Sequence, residues 1–241
     1  MSKLPSTVKW DMWLQYKYGF YYVYAIVTFL YIILLRQLPE GLLGIATTFV
    51  IFTDPGFLGF LFIGAIIFFE KSEQTLNALT VTPLKVNEYI FSKTLSLTIL
   101  ALITSLIIVI FSYGIDFNYL ALILGVILTS FFFTLIGFIA VAKFNTLNEY
   151  FLTSVFYMII LTLPLIDLFQ LLESPLFLYL IPTQASLVLL QSAFEEVASW
   201  EVIYAVLYLI VWVIFIYRWA HRSFYRYIIM KQKARALGEM I

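Results

Sequence analysis

Long runs without a charged residue alternate with short polar segments along this chain. Residues 18–35, 94–115, 117–142, 150–166 and 202–217 each form such a run, the last flanked by Trp200 and Trp219. A helix needs about 20 apolar residues to cross a hydrocarbon core of ~30 Å. These windows therefore predict membrane-spanning helices, with the two tryptophans where interfacial aromatic belts sit. The apolar stretch 41–69 is too long for one straight crossing, and Asp54-Pro55 interrupts it. An Asp N-cap followed by Pro at the first helical position starts a helix. A further span is thus expected to begin near Pro55, with 41–53 in the outer leaflet or forming a kinked extension. Residues 173–196 are nearly long enough to cross, but Pro182 divides them into pieces that are too short. They are expected to form an outer re-entrant or interfacial hairpin, packed on the bundle so that its backbone polar groups are satisfied.

At the N-terminus, STVKWDMWLQYKYGF mixes Trp10, Trp13 and Tyr16 with Lys9 and Lys17. That mixture predicts an amphipathic helix over 6–18 lying on the membrane surface. No A-x-A-like site follows the first apolar run, which is expected to remain as the first span. Composition agrees: 63% of the 241 residues are apolar and 12% are charged, against about 25% charged in a soluble domain. The fold expected is an all-α integral membrane protein with six transmembrane helices, one domain over 1–241. With both termini in the cytoplasm, every basic residue except Arg36 falls inside, while Glu40, Asp116, Glu173, Glu195, Glu196 and Glu201 fall outside. This is the positive-inside bias. A seventh crossing through 173–196 would carry the basic tail RWAHRSFYRYIIMKQKARAL outward; instead the tail reads as an anchor touching anionic lipid.

The formal net charge is zero, so a nucleic-acid role has no electrostatic support. The chain has no cysteine and one histidine, His221, in the basic tail. Disulfides, iron–sulfur clusters, thiol catalysis and a histidine-rich metal site are excluded. No G-x-x-x-x-G-K-[ST], H-E-x-x-H or G-x-S-x-G occurs, so the chain has no P-loop of its own and no recognisable hydrolase motif. Asp167, in TLPLIDLFQ, is either a functional intramembrane acid or a carboxylate near enough to the outer surface to be solvated. Lys143 is placed to snorkel to the inner interface. Thr146 and Glu149 have capping-box spacing at the start of the fifth span. Asp54 and Asp167 are the candidate polar points on a translocation path.

The segment FFEKSEQTLNALTVTPLKVNEYIFSK, residues 68–93, carries six charges between two apolar runs and falls on the cytoplasmic side. Glu70, Lys71 and Glu73 mark the end of the second span. Leu76 and Leu79, three apart, share a helical face. Thr82-Pro83 can restart a helix, and the chain then rises into the third span through Tyr89 and Ile90. An apolar helical face below the membrane suggests a docked protein.

Glu70-Lys71-x-Glu73-x-Thr75-Leu76-x-x-Leu79-x-Val81-Thr82-Pro83-Leu84 resembles the signature of ABC-2 type permeases, and the likeness extends to Glu88-Tyr89 and Ser92-Lys93. Asp54-Pro55 and FIGAIIFFEK are similar to the fluoroquinolone-export-type branch. Gln74 stands where the family usually has glycine, which would ease a tight turn before Thr75. The resemblance implies a six-helix permease of the prokaryotic cytoplasmic membrane. It implies pairing with a second copy, as a homodimer or heterodimer, and coupling to a cytoplasmic ABC ATPase subunit. Residues 70–82 would be the coupling helix, and ATP and Mg would be held by the ATPase, with no cofactor on this chain. The function implied is ATP-driven export of an apolar or amphipathic substrate such as a drug. The alternatives are a substrate-capture subunit of an energy-coupling importer, or a membrane-embedded enzyme.

Overall fold

The computed structural model describes residues 4–76, 85–170 and 176–230. Among them every regular element is helical. α1 (Leu4–Lys17) meets α2 (Phe20–Leu35) at a bend of 70°. Gly19 makes this corner at φ 81°, a left-handed conformation that costs glycine no steric penalty.

α3 (Glu40–Thr53), a π-helical turn (Asp54–Leu58) and α4 (Gly59–Ser72) follow one another without a break. Here the structure departs from the helix start expected at Pro55. Asp54 has φ −64° and ψ −64° and closes α3 as its C-cap, whereas an N-cap needs extended backbone. Proline lacks the N–H that would continue the regular bonding pattern, and the π turn takes up the irregularity inside a longer helix. The stretch 41–53 is therefore a helical extension continuous with the segment after it.

α5 (Val86–Ser112), α6 (Tyr119–Val141) and α10 (Ser199–Phe224, continued by a π turn to Ile229) are long and apolar enough to cross a membrane. α1 and α2, taken as one bent pair, make a fourth candidate. α3 and α7 (Leu147–Leu161) are apolar but shorter. α7 starts as its sequence predicts, with the Thr146 side chain accepting from the Glu149 backbone N–H at 3.3 Å. The Glu149 carboxylate accepts from Asn145 N–H, one residue earlier than a strict capping box. After the single turn α8 (Leu165–Leu168) come a 3-10 turn (Leu176–Leu180) and α9 (Pro182–Gln191). Pro182 sits in the first turn of α9, where its missing N–H is harmless.

α6 is the central helix, with α4, α5, α9 and α10 packed around it. Of its apolar window 67% is buried, against 17% for α10, which places α10 at the rim. The two ends of the bundle are tied by different groups. At one end Tyr18 reaches Glu73 and Lys71 reaches the Phe144 carbonyl. At the other, Arg36 Nε donates to the Phe111 carbonyl at 2.7 Å and Asn118 N–H to the Ala193 carbonyl at 2.9 Å.

Glycine permits the close crossing of α4 with α6 and α7. A Cβ on Gly137 would lie 2.4 Å from Ile63 Cγ2 and 2.9 Å from the Phe60 carbonyl oxygen. A Cβ on Gly64 would lie 2.0 Å from the Tyr150 ring. That ring stacks on Phe60 at 5.5 Å, and its hydroxyl donates to the Phe60 carbonyl. Small residues let membrane helices approach in this way. Gly64→Ala and Gly137→Ala are each expected to lower stability by about 1–3 kcal/mol through overpacking. The measurement is the Tm of detergent-purified protein. Gly41→Ala, whose Cβ would meet nothing within 4 Å, should leave it unchanged.

Candidate functional site

A lysine taken out of water must find anions, because an unpaired buried ammonium costs several kcal/mol. Lys93, near the start of α5, is 1% exposed. Its Nζ lies 2.5 Å from Glu70 Oε1, at the end of α4, and 2.9 Å from Asp11 Oδ1, in the middle of α1. The second oxygen of each carboxylate accepts from a hydroxyl: Tyr89 donates to Glu70 Oε2 at 2.5 Å, and Ser92 donates to Asp11 Oδ2. Two carboxylates face one ammonium, and these hydroxyls take up part of the excess negative charge. Nζ also stands 4.7 Å from the centre of the Tyr89 ring, a cation–π contact. One turn beyond Asp11, Gln15 donates to Ser96 Oγ at 2.7 Å, and Ser96 donates to the Lys93 carbonyl at 2.9 Å. Three helices are thereby joined through one side chain.

From sequence, Lys93 counts as one more inner-side basic residue, and α1 as a helix lying on lipid. The structure gives α1 two different faces. Trp10, Trp13 and Tyr16 are exposed, while Asp11, Leu14 and Gln15 are buried. The polar pair faces protein and the aromatic side faces outward. A signal for this lay in α5, where Tyr89, Ser92, Lys93 and Ser96 form a polar stripe at helical spacing. The partners Asp11 and Glu70 are 82 and 23 residues away in the chain, and nothing local pairs them.

Of the residues predicted for coupling, Glu70, Lys71, Glu73, Thr75 and Leu76 are described; Leu79, Thr82 and Pro83 lie outside the described residues. Glu70 alone joins the Lys93 cluster. Lys71 Nζ lies 3.4 Å from the Phe144 carbonyl oxygen. Glu73 is exposed and accepts from the Tyr18 hydroxyl at 2.9 Å, with Lys17 Nζ 3.9 Å away. Burial, then the Glu73 hydrogen bond and charge, push Tyr18 up to about 12, so it remains a donor at neutral pH. Thr75 donates back to the Glu70 carbonyl at 2.9 Å.

Leu76 is buried in the main core at 1% exposure. The apolar face expected to be open for docking is turned inward at this residue. The turn before it is responsible: Gln74 stands at φ 58° and redirects the chain against the bundle. This is the position where glycine is usual in ABC-2 type permeases, and a non-glycine residue holds the left-handed conformation at a cost of about 1–2 kcal/mol.

Asp54 and Asp167 are not brought together. Asp54, in the π turn, is 1% exposed; its Oδ2 lies 3.5 Å from Thr104 Oγ1 and its Oδ1 has no partner. Asp167, in α8, is half-buried at the end of the bundle away from Lys93. It accepts from Gln184 Nε2 at 2.5 Å and lines a cavity with Glu195, Glu196 and Glu201.

Three helices long and apolar enough to cross a membrane, or four with the bent α1–α2 pair, define a helical membrane protein. A model of the fluoroquinolones export permease protein family matches residues 2–232, and the chain belongs to that family. It is 32% identical over 234 residues to a fluoroquinolones export permease protein of Mycobacterium tuberculosis strain CDC 1551 / Oshkosh, and equally to one of strain ATCC 25618 / H37Rv. The alignment covers 96% of this chain and 98% of each relative. Membership bears out the likeness, seen in the residue pattern, to ABC-2 type permeases of the fluoroquinolone-export branch.

Lys93→Met leaves two buried carboxylates unpaired and should destabilise the protein by about 3–5 kcal/mol. Asp11→Asn should cost less, and the triple change Lys93→Met, Glu70→Gln, Asp11→Asn should recover much of the loss. At the turn, Gln74→Gly should hold or raise the Tm, while Gln74→Val should lower it, because a β-branched residue resists positive φ.

Proposed function

We propose that this permease is the transmembrane subunit of an ATP-driven exporter in the cytoplasmic membrane of a prokaryote. Both termini face the cytoplasm, and a second copy completes the transport unit. Six crossings are made by α2, by α3 with α4, by α5, by α6, by α7 with α8, and by α10. The turn at 176–180 and α9 form the outer re-entrant hairpin. The charge distribution supports this orientation, because Arg36 is the only basic residue it places outside.

The observation that carries the coupling mechanism is the ion-paired Lys93. Glu70 begins the segment expected to meet the ATPase, and it is bound through Lys93 to α1 and α5. A push on residues 70–82 by an ATP-closing partner is therefore delivered to three helices together. ATP and Mg are held by that partner. Exposed Glu73, and the segment that continues from it, supply the docking surface, since Leu76 is committed to the core. The cargo is apolar or amphipathic, and the relatives' names support a drug of that character.

The test is co-purification with a partner ATPase, measuring permease-dependent ATP hydrolysis. Glu73→Lys and Leu79→Asp are each expected to weaken association about tenfold, a loss of ~1.4 kcal/mol, with the monodisperse gel-filtration profile retained. Undiminished coupling in both variants would sink the assignment of 70–82 to the ATPase contact.

A further inference from the structure

Four charged side chains are buried among the described residues: Asp11, Glu70, Lys93 and Asp54. The first three share one cluster. Asp54 stands apart at 1% exposure, in the π turn (Asp54–Leu58) that joins α3 to α4. No ion pair reaches it among the described residues. An ionised carboxylate buried without a cation is costly, and a group so placed becomes neutral instead.

The groups that face Asp54 are hydroxyls and rings. α2 presents Tyr24 and Tyr31, both within electrostatic reach of the carboxyl group. Thr28 lies between them on the same face of the helix, and Tyr24 and Thr28 are buried. α5 presents Thr104. α6 packs on the turn with the Phe133 ring and Thr134 Oγ1, which a Cβ on Gly56 and on Gly59 would meet at 3.2 Å and 3.1 Å. The titratable groups among these are the two tyrosines, and none is a base.

The hydrogens around Asp54 can be accounted for. A hydroxyl has one hydrogen to give and two lone pairs to receive. Thr104 Oγ1 lies 3.1 Å from the Leu100 carbonyl oxygen and 3.0 Å from that of Ala101. Its hydrogen belongs to those carbonyls, which are nearer than Asp54 Oδ2 at 3.5 Å. Only its lone pairs are left for Asp54. Thr53, beside Asp54 in the chain, gives its hydrogen to the Phe49 or Val50 carbonyl, at 2.9 Å and 3.1 Å. The contact with Thr104 is complete when Asp54 supplies the hydrogen, as a carboxylic acid does. Asp54 Oδ1 has no donor, and the buried Tyr24 hydroxyl has no partner. The contrast lies within the same molecule: Asp11 and Glu70 each hold an ammonium on one oxygen and a hydroxyl on the other.

We infer that Asp54 is a proton-binding site inside the helical core, with its carboxyl group protonated in this conformation and donating to Thr104 Oγ1. The proton leaves by passing to a water molecule, with a carboxylate left behind, so water must first reach the group. The π turn that carries Asp54 is where the α3–α4 helix bends most readily. Proton release is thereby tied to movement of that helix. The site goes beyond the export reading and needs neither a partner ATPase nor a cargo.

The experiment is infrared spectroscopy of the full-length protein at pH 7 in dodecyl maltoside micelles, which contain no carbonyl group. The native sequence should show the carbonyl band of a protonated carboxylic acid, above the amide absorption, and the band should shift in D2O. Asp54→Asn should abolish this band and leave carboxylate absorption unchanged. Asparagine matches the neutral acid in shape, so the Tm of this variant should stay close to native. A native spectrum without an acid band overturns the proposal, and this arm needs no variant to fold. An acid band that survives Asp54→Asn, or a loss of carboxylate absorption in its place, overturns it as well. The native spectrum is also recorded in sodium chloride and in choline chloride. An acid band present in choline and replaced by carboxylate absorption in sodium makes the occupant a sodium ion and rejects the proton site. Identical acid bands in the two salts support it.

Discussion

The arrangement of the helices at one end of this protein depends on a buried ammonium. Lys93 cannot stay inside without anions, and it draws one from α1 and one from α4. Neither carboxylate is stable there alone, and the Tyr89 and Ser92 hydroxyls complete their coordination from the same face of α5. A buried ion pair adds little net stability compared with a well-packed apolar contact, but breaking one partner is costly. Its effect is positional: α1, α4 and α5 can be arranged in few other ways.

The opposite end has the reverse electrostatics. Carboxylates gather around a cavity, and among the described residues the donors that reach them are neutral. One end is thus closed by its own charge balance, and the other is held by neutral hydrogen bonds. Between them, the α3–α4 helix is interrupted by a π turn at Asp54. It runs from the cavity, where Ile45 contributes to the wall, to Glu70 in the ion cluster. A displacement at Glu70 therefore has a continuous helical path toward the cavity, with one irregular turn along it.

Much of the local structure was legible in the residues. The charge-free windows locate α2, α5, α6, α7 and α10, because a hydrocarbon-facing helix tolerates few charges along its length. The Thr146 cap of α7 was legible because capping is decided within four residues. The glycine position before Thr75 was marked as a tight turn, and Gln74 does stand there with positive φ. Asp54-Pro55 misled, since the same pair that starts a helix can also sit at a π turn within one. Leu76 misled as well: its spacing from Leu79 describes a helical face without saying what covers it.

Composition and charge pattern by themselves determined that this is a helical membrane protein and where most of its helices lie. The signature around residues 70–84 also placed it among permeases before any contact was known. Only the tertiary structure decided which polar residues matter together. Asp11 and Lys93 read as inner-side charges and Glu70 as the first acid of the coupling segment, and nothing in the sequence brought the three together. The physical reason is range. Hydropathy and capping act over one or two helical turns, whereas a buried charge is satisfied by whichever helix packs beside it, across 82 residues of chain in the case of Asp11 and Lys93.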